Sequence, residues 1–148
     1  MEKMIFTQQI NAPKEKVWNI LWEDASYRKW TTPFCEGSYA VNDNWKEGSK
    51  VLFLSPGGDG MVSKVAANRP CEFMSFLHLG EVKAGVEDTE SEKVEQWAGA
   101  KENYTLTEVE GKTLLTIDMD MNDEMKEYFE NTWPKALEQI KQLAEQTI

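Results

Sequence analysis

Residues 11–32 read Asn-Ala-Pro-Lys-Glu-Lys-Val-Trp-Asn-Ile-Leu-Trp-Glu-Asp-Ala-Ser-Tyr-Arg-Lys-Trp-Thr-Thr. Pro13 suits the first turn of a helix, where its missing N–H has no partner to lose. Val17, Trp18 and Leu21 recur at helical spacing and make one face apolar. The polar run Ser26-Tyr27-Arg28-Lys29 then leads into a second short helical turn that ends at Trp30. Immediately upstream, residues 4–10 form a short apolar strand. A strand, a proline-started helix and a short helix closed by tryptophan make an uncommon series. It specifies a fold more sharply than a reaction.

Downstream, Pro33 and Gly37 mark a loop, and residues 38–41 a short strand. Turn residues flank Trp45 on both sides, and residues 50–54 read as a strand. Ser55-Pro56-Gly57-Gly58-Asp59-Gly60 is hairpin-turn chemistry. Residues 61–67 and 71–79 read as two more strands, parted by Asn68-Arg69-Pro70. Residues 81–95 carry six acids and two lysines and read as a solvated loop, with a helical turn where Thr89 and Glu92 can form a capping box. Residues 103–109 and 112–120 are Thr-rich and β-branched, a hairpin around Glu110-Gly111. From Asp123 to the C-terminus, Met125, Phe129, Trp133, Leu137, Ile140 and Ala144 keep 3 and 4 spacing, the pattern of a long amphipathic helix. Pro134 inside it predicts a kink or a restart. No repeat, linker or low-complexity tract interrupts the chain, so one domain over residues 1–148 is expected. Strands joined mainly by hairpins are antiparallel. Such a sheet buries one face cheaply, and the long helix is its natural cover.

The 148 residues suffice for one substantial core. A hydrophobic fraction of 41% with 11% aromatics excludes a disordered chain. A net charge of −10 argues against nucleic acid or an anionic membrane as partner, because both repel it. No apolar run is long enough for a membrane span. The first residues lead into a strand with no secretory h-region, so a cytoplasmic location is expected. Cys35 and Cys71 are far apart and outside any Cys-x-x-Cys pattern, and they read as free thiols, wholly or partly buried.

Few residues read as catalytic. His78 is the only histidine and lies in a strand, where packing is the commoner role than general base. No Gly-x-Ser-x-Gly elbow presents a nucleophile. Asp118-x-Asp120-x-Asn122 opens like a calcium loop, but Asp123 stands where a glycine is needed and Phe129 where a glutamate is needed. These acids read as a strand end and a helix cap. One histidine and two distant cysteines give no zinc spacing. The Gly57–Gly60 run precedes no helix and is a turn, not a phosphate cradle. The sequon Asn103-Tyr104-Thr105 is idle without secretion. No metal or cofactor is called for.

Taken together, Ala12-Pro13 with Val17-Trp18 and Trp30, Gly48 before the third strand, the hairpin Gly111–Thr116 and the terminal Trp133-Pro134-x-x-Leu137-x-x-x-Lys141-x-Leu143 resemble the START-related, birch-pollen-allergen-like superfamily. More narrowly, the chain is similar to bacterial proteins related to the C-terminal domain of the heat-shock protein 90 ATPase activator. The likeness runs from about Met4 to Glu145. It implies an α+β helix-grip fold, with two short helices after the first strand and a curved antiparallel sheet of six or seven strands wrapped around the C-terminal helix. It also implies a cavity between that helix and the sheet.

Six Trp, six Phe, four Tyr and seven Met recur where such a cavity is lined: Trp30, Tyr39, Phe53, Phe76, Trp97, Tyr104, Met119, Phe129 and Trp133. Tyr104, Thr116 and His78 are the polar groups expected to orient a ligand. For any one of them, filling a solid core is the commoner role. Three functions follow from the resemblance. The first is non-catalytic binding of an apolar or amphipathic small molecule or lipid. The second is interaction with a heat-shock protein 90-type ATPase, although the eukaryotic activator's N-terminal domain has no counterpart in these residues. The third is a cyclase or dehydratase using His78. Fold membership does not choose among them. An empty volume above about 300 Å³ favours the first.

Overall fold

The computed structural model describes residues 2–121 and 123–146. The chain opens with β1 (Glu2–Ile10) and turns through Pro13 into α1 (Lys14–Trp22) and α2 (Asp24–Trp30). Pro13 stands just before α1, extended at φ −68° and ψ 157°. Its carbonyl accepts from the N–H groups of Lys16 and Val17 at 3.1 and 3.2 Å. No side chain of this segment caps the helix. Glu108 does so from across the molecule, its Oε1 accepting from the Lys14 N–H at 2.9 Å, which places a carboxylate at a helix N-terminus.

Seven strands follow: β2 (Tyr39–Val41), β3 (Lys50–Leu54), β4 (Gly60–Arg69), β5 (Phe73–Lys83), β6 (Val86–Asp88), β7 (Lys101–Val109) and β8 (Lys112–Met121). A short α3 (Glu92–Glu95) separates β6 from β7, and α4 (Asp123–Glu145) ends the chain. The sheet runs β1-β8-β7-β5-β4-β3-β2, with β6 also on β5, and every pairing is antiparallel. This is the helix-grip arrangement, with eight strands among the described residues.

The additional strand lies in the acid-rich stretch, which is more ordered than its composition suggests. β5 continues to Lys83, and a two-residue turn at Ala84 and Gly85, both with positive φ (49° and 81°), brings the chain back as β6. Two left-handed residues in a row match the twist of paired strands. Gly80, just before this turn, has no room for a side chain, because a Cβ there would lie 2.1 Å from the Asp88 carbonyl oxygen. The helical turn forms two residues later than Thr89 and Glu92 imply: Ser91 is its cap and accepts from the Val94 N–H at 3.3 Å. The β7–β8 turn does fall at Glu110 and Gly111, again with both φ values positive (55° and 79°). Cys71 does not begin a strand. It sits in a turn at φ 68°, and β5 starts at Phe73. Cys71 is half-buried, Cys35 is exposed, and neither forms a disulfide.

α4 runs through Pro134 without a restart. Its buried stripe is Thr132, Trp133, Ala136, Leu137, Ile140 and Ala144, and it packs on β1, α1 and α2. Opposite it, strand alternation brings Met74, Phe76 and His78 of β5, Tyr104 and Leu106 of β7, and Leu115, Ile117, Met119 and Met121 of β8 to the covered face. No helix among the described residues is long and apolar enough to cross a membrane.

The last turn of α4 is tied down by charge. Glu145 accepts from the Asn11 N–H at 2.8 Å and lies 2.8 Å from Lys141 Nζ. The Asn11 bond first, and the Lys141 bond second, hold its carboxyl below the ordinary 4.5. A carboxyl depressed in the folded state adds stability that is complete above its unfolded value and is lost as pH falls through the folded one. Glu145→Gln is therefore expected to lower the denaturant midpoint at pH 7, with the gap closing in acid once the pH falls below the lowered folded value. An equal gap at both pH values refutes the tie.

Candidate functional site

The sheet splays at one point. β5 pairs with β7 through Phe73–Leu77 and with β6 through Glu81–Lys83. Between these two stretches only the His78 backbone bridges, its N–H donating to Ala100 at 2.9 Å and its carbonyl accepting from Gly99 at 2.8 Å. A bulge at the same level, where Val62 faces Gly80 but Ser63 faces His78, bends β4 and β5. A groove of about 490 Å³ opens beside this splay, bounded by β4, β5, α3, β7, β8 and the first turns of α4. Met61, Val82, Trp97, Ala100, Met119, Met121, Met125 and Phe129 give it apolar walls.

A polar chain lies against its floor. Ser63 Oγ is 2.7 Å from His78 Nδ1. His78 Nε2 is 3.4 Å from Glu102 Oε1, a close charge contact longer than a good hydrogen bond. The Tyr104 hydroxyl donates to Glu102 Oε2 at 2.5 Å. Ser63 is fully buried and His78 nearly so, while the Glu102 side chain is 16% exposed. His78 and Glu102 line the groove, and Ser63 and Tyr104 sit behind them. Burial first, then the charge of Glu102 and the bond to it, push the Tyr104 phenol well above its ordinary 10. It is a fixed donor at neutral pH.

Four of the residues expected to line a cavity do so: His78, Trp97, Met119 and Phe129. Trp30, Phe76, Tyr104 and Trp133 belong instead to a continuous buried aromatic core. There Trp22 meets Tyr104 at 4.9 Å and Phe76 at 5.5 Å, and Trp133 meets Trp30 and Tyr104 at 6.1 Å each. Phe53 packs on Phe76 at 5.1 Å, one layer from the groove. Tyr39 lies on edge strand β2, under the Arg28 guanidinium at 5.3 Å. Thr116 alternates with the buried Leu115 and Ile117, so it is on the other face of β8. Glu102 and Ser63 were legible only in part. Glu102 shares a strand face with Tyr104 by simple alternation, whereas Ser63 depends on the bulge.

The acids of the failed calcium motif are engaged within the sheet. Asp118 accepts from Asn103 at 2.9 Å, and Asp120 accepts from the Lys101 N–H at 3.1 Å. Asn122 lies outside the described residues. A second hollow, of about 380 Å³ between α1, α2 and the Trp45 loop, has a rim of Asn19, Glu23, Asp24, Asn42 and Asn44. Its back wall is packed indole, with Trp45 Nε1 donating to the Trp22 carbonyl at 2.8 Å.

A bent antiparallel sheet gripping a C-terminal helix, with a small-molecule-sized groove between them, defines the START-like class of α+β proteins. Residues 11–145 match the family described as "Activator of Hsp90 ATPase homolog 1-like protein". The chain belongs to that family. Among solved structures, it is similar to protein MLL2253 from Mesorhizobium loti, at 18% identity and a TM-score of 0.72 over 99% of each chain. It is also similar to the Aha1 dimer from Colwellia psychrerythraea, at 21% identity and a TM-score of 0.71 over 98% of this chain and 97% of that one. CalU16 from Micromonospora echinospora aligns at 16% identity and a TM-score of 0.67, over 97% of this chain and 76% of its own. At these identities the likeness establishes the fold. No curated protein matches the chain.

Proposed function

We propose that this protein binds an apolar or amphipathic small molecule in the groove between α4 and the sheet, without acting on it chemically. The carrying observation is the groove itself. Its volume of about 490 Å³ is within the range of small-molecule sites, and its apolar walls surround a small polar group. Two features support binding over turnover. Both ring nitrogens of His78 already have partners, and the Ser63 hydroxyl sits behind the histidine, away from the groove. The cytoplasmic location and lack of a cofactor expected from the sequence fit this reading.

Native mass spectrometry of gently purified protein, followed by titration of a lipid and aromatic panel against Trp97 fluorescence, tests the proposal. At least one ligand is expected below about 100 μM, equivalent to roughly −5.5 kcal/mol. A panel in which nothing binds at that level refutes it. A second reading, contact with a heat-shock protein 90-type ATPase, draws on the family's description. A change in chaperone ATPase rate with co-elution supports that reading, and the absence of both ends it.

A further inference from the structure

The groove is apolar, yet its charge is one-sided. Four acids, Asp59, Glu81, Glu102 and Glu124, line it, while the Asp120 side chain, alternating with Met119 and Met121, is on the other face of β8 opposite Lys3. Two lysines, Lys83 and Lys93, answer them, and Lys93 is spent on Glu81 at 3.4 Å. Asp59 accepts the Ala84 N–H at 2.8 Å, which orients this carboxylate without cancelling its charge.

At the floor, Glu102 has a single ion-pair contact, and that partner is an imidazole, not the fixed charge of an arginine or lysine. A carboxylate facing an apolar, partly desolvated hollow gains most from a mobile counter-ion. Trp97 and Phe129 add aromatic faces to the same walls, and such faces attract organic cations. An anionic tail group, such as a fatty carboxylate, meets the reverse, the like charge of Glu102 and Glu124.

Resting on the binding reading above, we infer that the groove selects cationic amphiphiles, with an alkyl or aryl chain along the methionine-lined walls and an ammonium group at Glu102 and Glu124. The selection is an electrostatic difference laid over a common apolar affinity, so it is strongest at low salt.

Three probes of equal chain length test this: decyltrimethylammonium, decanoate and 1-decanol, each titrated below its aggregation limit at low and high ionic strength. The ammonium is expected to bind at least about tenfold more tightly than the carboxylate, with the alcohol between them and the ratio shrinking with salt. Because the whole chain carries −10, site and bulk charge must be separated. Glu102→Gln and Glu124→Lys are each expected to cut the ammonium-to-carboxylate ratio at least about threefold with 1-decanol affinity kept. Glu110→Lys, in the β7–β8 turn away from the groove, is expected to leave the ratio unchanged.

Equal or tighter binding of decanoate overturns the charge inference and leaves the binding reading standing. An equal response to Glu110→Lys and Glu124→Lys overturns the placement in the groove. Failure of all three probes to bind overturns the inference together with the reading beneath it.

Discussion

Trp133→Ala is expected to destabilise the fold by about 3–5 kcal/mol, the range for removing a fully buried large aromatic. Trp133 is 2% exposed and stands where α4 meets everything it covers. Its ring lies 4.8 Å from Phe34, 6.0 Å from Phe6, and 6.1 Å from both Trp30 and Tyr104. Its Nε1–H points at the Met119 sulfur, 3.1 Å away. One side chain thus joins β1, α2, the loop after it, β7 and β8 to the helix. Alanine leaves a void that these rings cannot close, because Trp30, Phe34 and Tyr104 are each already fixed by another ring. Against a total stability of about 5–15 kcal/mol for a domain of this size, the loss lowers the thermal midpoint by roughly 10 °C. Guanidinium denaturation followed by near-UV circular dichroism reads it directly. Trp97→Ala is the contrast. That ring is half-buried at the groove, so the midpoint is expected to hold while ligand affinity falls. A loss below about 1 kcal/mol for Trp133→Ala means that the helix is not held by this contact.

The same residue shows what the sequence makes legible and what it hides. Spacing along α4 identifies Trp133, Leu137, Ile140 and Ala144 as one buried face, because helical period is a local property. The opening strand, the Pro13 entry and the Glu110-Gly111 turn are local too, and each stands where its chemistry requires. Whether Trp133 borders a hollow or another ring is not local. It depends on the crossing of α4 over the sheet, and here the rings meet.

Strand phase fails for a similar reason. Leu114 and Leu115 are adjacent, and alternation alone does not say which one turns inward. Leu115 is fully buried and Leu114 43% exposed, which sets Thr116 on the outer face. In residues 81–95, charge density masks β6 and α3, because their order comes from pairing with the end of β5 and from the single buried Val94. The groove is least legible of all. It exists because β5 changes partners from β7 to β6, and no window of sequence records that exchange. His78, Trp97, Met119 and Phe129 reach it from β5, the turn after α3, β8 and α4.

Glu102 separates a structural role from a ligand role, and its two substitutions are expected to differ. In the wild type the carboxylate only accepts, from the Tyr104 hydroxyl at 2.5 Å and, in the tautomer with hydrogen on Nε2, from His78 at 3.4 Å. Glu102→Ala removes both acceptors and leaves a buried phenol with no partner, at a cost of about 1–3 kcal/mol. Glu102→Gln permits a rescue. Its amide oxygen accepts from Tyr104, its amide nitrogen donates to His78 Nε2, and the histidine moves its hydrogen to Nδ1 to donate to Ser63 Oγ. The glutamine variant is therefore expected to lose less than about 1 kcal/mol, and ¹⁵N chemical shifts of the single histidine should report the change of tautomer. The alkaline limb gives an independent check. A phenol whose pKa is raised in the folded state adds stability that is complete below its unfolded value of 10 and is lost as pH rises above it. With the Glu102 charge gone, part of the upward push on Tyr104 disappears while burial remains, so the alkaline loss of stability is shallower in Glu102→Gln than in the wild type. Equal losses for alanine and glutamine at pH 7, with an unaltered histidine signal, mean that Ser63, His78, Glu102 and Tyr104 do not act as one hydrogen-bonded unit.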